Sequence, residues 1–185
     1  MDDGINLRSG NMTDAKKQEL ISLLPRLRRF CLGLTGSRER ADDLAQATCE
    51  RALTRLGQWK TGTRMDSWLF TVAKSVWIND WHRRRTRGVE VPLDHVGGGH
   101  ASDGVATAEQ SILLKRVMEN LAKLPDEQRE VLLLVCVEGF SYAEAAVILD
   151  IRTGTLMSRL ARARRKIQNL TMADTGTGRV AKIGE

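Results

Sequence analysis

The chain has 185 residues with a formal net charge of +6, a hydrophobic content of 42% and an aromatic content of 4%. That balance excludes global disorder and disfavours a sheet-built core, and its basic excess favours phosphate-bearing partners. No apolar run approaches the roughly 20 residues of a membrane span, and the N-terminus lacks a secretory pattern, so the expected location is the cytoplasm.

In chain order, residues 1–14 are polar and form an expected tail. A helical block follows over 15–88. Within it, Thr35-Gly36-Ser37 predicts a break, with Ser37 as the N-cap of the next helix. Ala41, Leu44, Ala45, Thr48, Ala52 and Leu56 form that helix's inner stripe. The loop from Gln58 to Asp66 carries Trp59, Lys60, Gly62 and Arg64, a polar, adaptable composition suited to holding an extruded base.

The helix from Asp66 to Arg87 is the most unusual segment. Leu69, Val72, Ala73 and Val76 share one face, and Lys74, Trp77, Trp81 and Arg84 share another. The helix closes on His82-Arg83-Arg84-Arg85-Thr86-Arg87. Tryptophans beside cations fit a single-strand grip, in which bases stack on rings and cations track phosphates. Trp68 is assigned to the core.

Residues 89–107 hold Pro92, Gly97-Gly98-Gly99 and Gly104 with no Lys or Arg, the pattern of a flexible linker. A second helical block is expected over 108–170, opened by a capping box at Thr107-Ala108-Glu109-Gln110. Leu113, Val117, Leu121 and Leu124 predict its first buried face, which Pro125 ends. Gly139 ends the next helix, and Ser141-Tyr142-Ala143-Glu144 is a second capping box. Tyr142, Ala145, Ala146 and Leu149 then predict a short buried face.

Asp150-Ile151-Arg152 has the length of a helix-turn-helix turn. The helix after it, from Thr153 to about Gln168, buries Leu156, Leu160, Ala163 and Ile167. Its opposite face carries Thr155, Ser158, Arg159, Arg162, Arg165 and Lys166. Small polar groups near the N-terminus allow approach to base edges; cations beyond them reach bases and phosphates. Residues 171–185 form an expected second tail.

Cys31, Cys49 and Cys136 are odd in number, dispersed, and placed among apolar neighbours, so small core residues are expected rather than disulfides. No metal-ligand spacing, clustered carboxylates or activated nucleophile is present, so neither enzyme chemistry, a metal nor a cofactor is expected.

The two blocks in this order resemble the extracytoplasmic-function (ECF) sigma factors. Asp42-Asp43-Leu44-Ala45-Gln46 with Cys49-Glu50-Arg51-Ala52 looks like region 2.2, which binds the polymerase core. The resemblance implies polymerase contacts for Asp42, Asp43, Leu44, Gln46 and Glu50. Ser67 to Lys74 and Asp80 to Arg85 look like regions 2.3 and 2.4. This implies minus-ten contacts for Lys60, Arg64, Lys74, Trp77, Trp81, Arg83, Arg84 and Arg85. The stretch from Gly154 to Arg164 looks like the region 4 recognition helix, which implies minus-thirty-five contacts for Thr155, Ser158, Arg159, Arg162, Arg165 and Lys166. Ser75 and Asp150 stand where the family often has Asn and Gly. The implied fold is all-α, a region 2 bundle and a region 4 helix-turn-helix joined by a flexible linker. The implied partners are core RNA polymerase, promoter DNA and an anti-sigma factor, in a stress response similar to the alphaproteobacterial general-stress type. A helix-turn-helix regulator that never joins polymerase is the competing reading. It explains the second block but not the tryptophan-bearing helix or the Asp42-to-Gln46 motif.

Overall fold

A computed structural model describes the backbone of residues 14–60, 62–86 and 108–180, and the side chains of 14–60, 62–80 and 109–172. The expected linker and the capping residue Thr107 lie outside the described residues. The chain is all-α: no strand occurs among the described residues. In order, the helices are α1 (residues 14–22), α2 (Leu24–Thr35), α3 (Arg38–Arg55), α4 (Met65–Thr86), α5 (Ala108–Ala122), α6 (Asp126–Leu132), α7 (Tyr142–Leu149) and α8 (Thr153–Val180). A 3₁₀ turn (Leu56–Gln58) follows α3, and α6 runs on into a π-turn (Leu133–Val137). No helix among the described residues is long and apolar enough to cross a membrane.

Local chemistry explains the boundaries. Gly36 ends α2 with φ +67°, a left-handed position where a Cβ would be strained, and its N–H donates to the Leu32 carbonyl. Ser37 then accepts from the Arg40 N–H and starts α3. Pro125 precedes α6, and Asp126 and Glu127 put negative charge on its first turn. At Ser141 both halves of the capping box form: its hydroxyl accepts from the Glu144 N–H, and the Glu144 carboxylate accepts from the Ser141 N–H at 2.8 Å. Asp150 adopts φ 52°, ψ 50°, the left-handed turn that its short polar side chain tolerates.

The α3 stripe is buried as expected, from Ala41 through Leu56. So are Leu69, Val72, Ala73 and Val76 on α4, and Leu156, Leu160 and Ala163 on α8, with Ile167 packed against them. Three readings need correction. On α5, Leu113 and Val117 are exposed while Met118 and Leu121 are buried, because among the described residues it is the end of α5 that packs into the core. On α7, Tyr142 is 40% exposed and Ile148 takes an inner place. Cys31 is buried, which pushes its thiol up to about 12, but Cys136 is exposed.

The two blocks share one core. Phe30 and Phe70 from the first meet edge-on at 5.0 Å, and Phe70 meets Phe140 from the second at 5.1 Å. Gly33 on α2 admits Leu133: a Cβ there would lie 2.5 Å from the Leu133 Cδ2. Arg129, only 4% exposed, bridges the blocks. Its guanidinium donates to the carbonyls of Leu121, Ala122 and Leu124 at the end of α5, and to that of Leu34 at the end of α2.

Candidate polymerase and nucleic-acid interfaces

On α3, the apolar stripe turns one side inward and so fixes what the other side presents. Asp43, Gln46 and Glu50 are exposed at spacings of one turn, with Leu53 continuing the row at 50% exposure. Gln46 Nε2 donates to Glu50 Oε1 at 3.0 Å, which orients both side chains. Asp42 is half-buried and pairs with Arg28 at 2.7 Å. Leu44 is 6% exposed and belongs to the core, so it cannot offer its side chain to a partner here.

The loop before α4 and the start of that helix form a charged corner. Lys60 and Arg64 are exposed. Arg64 pairs with Asp66 at 2.6 Å and with Glu144 of α7. Burial alone would raise the Asp66 carboxyl, but hydrogen bonds from Arg64 and Arg26 overcome it and hold the group below its ordinary range. Trp59 is buried, its indole N–H has no acceptor among the described residues, and Lys16 sits 5.2 Å over its ring. Along α4, Lys74 donates to the Leu149 carbonyl at the end of α7. Ser75 accepts from Arg51 of α3 at 3.3 Å, so in this state it serves helix packing.

Trp77 is 7% exposed. Its ring packs between α3 and α4 and borders a cleft lined by Asp43, Leu44, Ala47 and Asp80. The exposed stacking face expected from its spacing with Lys74 is absent: α4 is apolar on more than one side, and α3 covers the second. Trp68 is partly buried against the core, as expected. Trp81, Arg83, Arg84 and Arg85 lie on α4, but their side chains fall outside those described.

On α8 the polar face points outward. Ser158, Arg162, Arg165 and Lys166 are exposed, and Thr155 is half-buried. Ser158 Oγ donates to the Thr155 carbonyl at 2.9 Å, and Arg162 Nε donates to the Ser158 carbonyl at 3.2 Å, holding these groups against their own helix. Arg159 is pinned by Glu127 of α6 at 2.7 Å and keeps 20% of its side chain exposed. Between α6 and its surroundings lies the half-buried Glu130. Burial pushes its carboxyl up to about 7 against the pull of Lys74 and Arg159, with Asp126 and Glu127 adding to the rise.

Residues 114–167 match the family described as sigma-70 region 4, and residues 20–74 match the sigma2 domain of PhyR. The ECF RNA polymerase sigma factor EcfG of Rhodopseudomonas palustris is 34% identical over 165 residues, covering 88% of each chain. This chain belongs to the ECF sigma factors. SigM of Bacillus subtilis, an ECF RNA polymerase sigma factor, is 30% identical over 77% of this chain and 86% of its own. Among solved structures, RpoE of Bartonella quintana in complex with the anti-sigma factor NepR shares 33% identity and a TM-score of 0.72, covering 85% of this chain and 97% of that one. CnrH, solved with the cytosolic domain of CnrY, shares the fold at a TM-score of 0.64, with 87% and 90% coverage and 24% identity.

As a sigma factor this chain directs core RNA polymerase to promoters, and its family regulates transcription rather than catalysing a reaction. The competing reading, a regulator that never joins polymerase, gives way because the likeness to RNA polymerase sigma factors runs through both blocks, over 88% of this chain for EcfG. Sequence reasoning about this sigma factor missed Arg26, Arg29, Glu130 and Glu138. The only local signal was the cationic run Arg26-Leu27-Arg28-Arg29 just after Pro25.

Proposed function

We propose that the exposed α3 row, Asp43, Gln46 and Glu50, docks on core polymerase, with Asp42 supporting it through Arg28. The α8 face of Ser158, Arg159, Arg162, Arg165 and Lys166, with Thr155 at its edge, reads the minus-thirty-five element. Lys60, Arg64, Lys74, Trp81, Arg83, Arg84 and Arg85 engage the minus-ten element, and Trp77 supports them by packing α4 on α3. The region 2 unit spans 15–88 and the region 4 unit 108–170. The observation that carries this reading is the outward, cationic face of α8 behind a left-handed Asp150 turn, the geometry of a helix that enters a major groove.

An anti-sigma factor of the kind seen with the Bartonella relative is the expected inhibitor, and a stress response the expected setting. A protein that joins core polymerase acts in the cytoplasm. Promoter-directed run-off transcription with core polymerase tests the reading. The double variant Asp43→Arg, Gln46→Ala should lose core binding at least tenfold with its helix content intact. Unchanged core affinity would remove the α3 row from the interface.

A further inference from the structure

The second block sets a carboxylate of α6 beside the cationic face of α8. The two helices pack together, and Leu156 and Leu160, both buried, lie on either side of Arg159 in sequence and fix how α8 turns. Along the outer face, Arg162 donates to the Ser158 carbonyl of its own helix, and Arg165 and Lys166 are exposed. Arg159 is tied instead to a second helix: its Nη2 lies 2.7 Å from Glu127 Oε2. The neighbouring acids of α6 are placed differently. Asp126 pairs with Arg129 at 3.3 Å, and Glu130, one turn on from Glu127, is half-buried. The Glu127 side chain is 67% exposed and that of Arg159 20%, so the pair sits at the surface that α8 turns outward.

An ion pair this exposed adds little to stability, so fastening α6 to α8 does not account for it. Its place on the DNA-facing side does. A phosphate within hydrogen-bond distance of Arg159 would also lie near the Glu127 carboxylate and be repelled by it. A base edge carries no such charge. Guanine offers two neutral acceptors, O6 and N7, which a planar guanidinium meets with two parallel N–H groups. Contact with Glu127 through Nη2 leaves the Nη1 hydrogens and the second Nη2 hydrogen for that pairing. An arginine loses rotamer freedom when it binds. One held beforehand loses less, and the gain appears only on a sequence that presents the matching edge.

We infer that Glu127 is a positioning residue for promoter choice: it holds the Arg159 guanidinium for one guanine of the minus-thirty-five element and steers it away from phosphates. Glu127 touches no base itself and acts through Arg159. This role rests on the assignment of α8 to the minus-thirty-five element. It divides the labour along the helix, with Arg159 on a base edge and the exposed Arg165 and Lys166 left to the backbone.

The full chain, joined to core RNA polymerase, is bound to promoter DNA randomised through the upstream element, and the bound fraction is sequenced at several salt concentrations. Glu127→Gln keeps the side chain's length and removes its charge. Asp126→Asn removes a charge from the same turn of α6 but belongs to Arg129. The wild type should prefer guanine at one position that Arg159→Ala flattens. Arg159→Lys, which keeps the charge and loses the fork, should flatten it too without lowering the salt slope. Glu127→Gln should weaken that one preference by about three- to tenfold and leave the other positions alone, the range expected from partial loss of a fixed arginine rotamer. Added to Arg159→Ala it should change nothing further there. Asp126→Asn should keep the wild-type profile. A sharp wild-type profile that Glu127→Gln leaves intact overturns the positioning role alone, as does an equal fall with Asp126→Asn or a further loss on top of Arg159→Ala. A Glu127→Gln protein that loses its helical circular dichroism makes the pair a structural fastening and overturns the role as well. If Arg159→Ala weakens every sequence alike and lowers the salt slope by about 0.9, Arg159 meets a phosphate and the role fails. A wild type with no preference anywhere in the upstream element overturns the assignment of α8 itself.

Discussion

Arg129 offers the sharpest test of the packing. Its side chain is 95% buried and donates to carbonyls at 2.7 Å (Leu34), 2.9 Å (Leu121 and Leu124) and 3.1 Å (Ala122), with Asp126 at 3.3 Å. The carbonyls at the ends of α5 and α2 have no further helical turn to bond them. Hydrogen bonds from a charged donor contribute about 1.5–3 kcal/mol each, and a buried carbonyl left unpaired costs about 1–3 kcal/mol. Burying the cation costs several kcal/mol in the other direction, consistent with the lowered pKa that burial imposes on this guanidinium. Taken together, Arg129→Met should lower the unfolding free energy by about 3 kcal/mol. Arg129→Lys should recover little of it, because an ammonium cannot reach four carbonyls in a planar fork. Urea denaturation followed by far-ultraviolet circular dichroism measures both variants. A Met variant within about 1 kcal/mol of wild type would show that water or local rearrangement satisfies these carbonyls, and the capping argument would be wrong.

Trp77→Ala should cost about 3–5 kcal/mol of stability, since the ring is 7% exposed between α3 and α4; a thermal melt unchanged by the substitution, with permanganate reactivity of promoter thymines lost, would return the ring to DNA contact. Arg162→Ala should relax preference at one minus-thirty-five position, while Arg165→Ala should weaken all sequences alike and lower the salt slope by about 0.9; equal losses on every sequence in an upstream-element library would reduce α8 to an electrostatic anchor. Glu130 has a folded-state pKa of about 7 against an ordinary 4.5, so the folded protein holds this proton more tightly and stability falls as pH rises from about 4.5 through 7. Glu130→Gln should therefore be more stable than wild type at pH 8 by about 1–3 kcal/mol and similar to it at pH 4. Urea midpoints at the two pH values that differ by the same amount in both proteins would contradict this.

Local signals were legible wherever a single residue sets the backbone. Ser37, Gly36, Pro125, Gly139, Ser141 and Asp150 each punctuate the chain by their own chemistry, and each does so in the folded protein. Helices with one apolar stripe, α3 and α8, were also legible, because one stripe leaves one choice of inner face and therefore one choice of outer face. That is why the exposed polar row on α3 and the cationic row on α8 could be named in advance as expectations.

Where a helix carries apolar residues on several sides, periodicity cannot say which side finds a partner. Trp77 and Tyr142 were misplaced for that reason, as were Leu113 and Val117, whose helix packs into the core at its end. Leu44 lay in a motif read for its partner-binding role, and its burial follows from the same stripe that orients Asp43 and Gln46 outward. The closure of the two blocks was beyond sequence reasoning altogether. Arg26 and Glu138 are 112 residues apart, and Arg64 and Glu144 are 80 apart. Nothing in the local pattern pairs them, because a charge on a helix surface is equally at home facing water. The amino-acid sequence determines the helices, their caps and the faces they can offer. Only the tertiary packing, with Phe140 against Phe70, Leu133 against Gly33 and Arg129 on the Leu34 carbonyl, decides which surfaces of the two blocks meet.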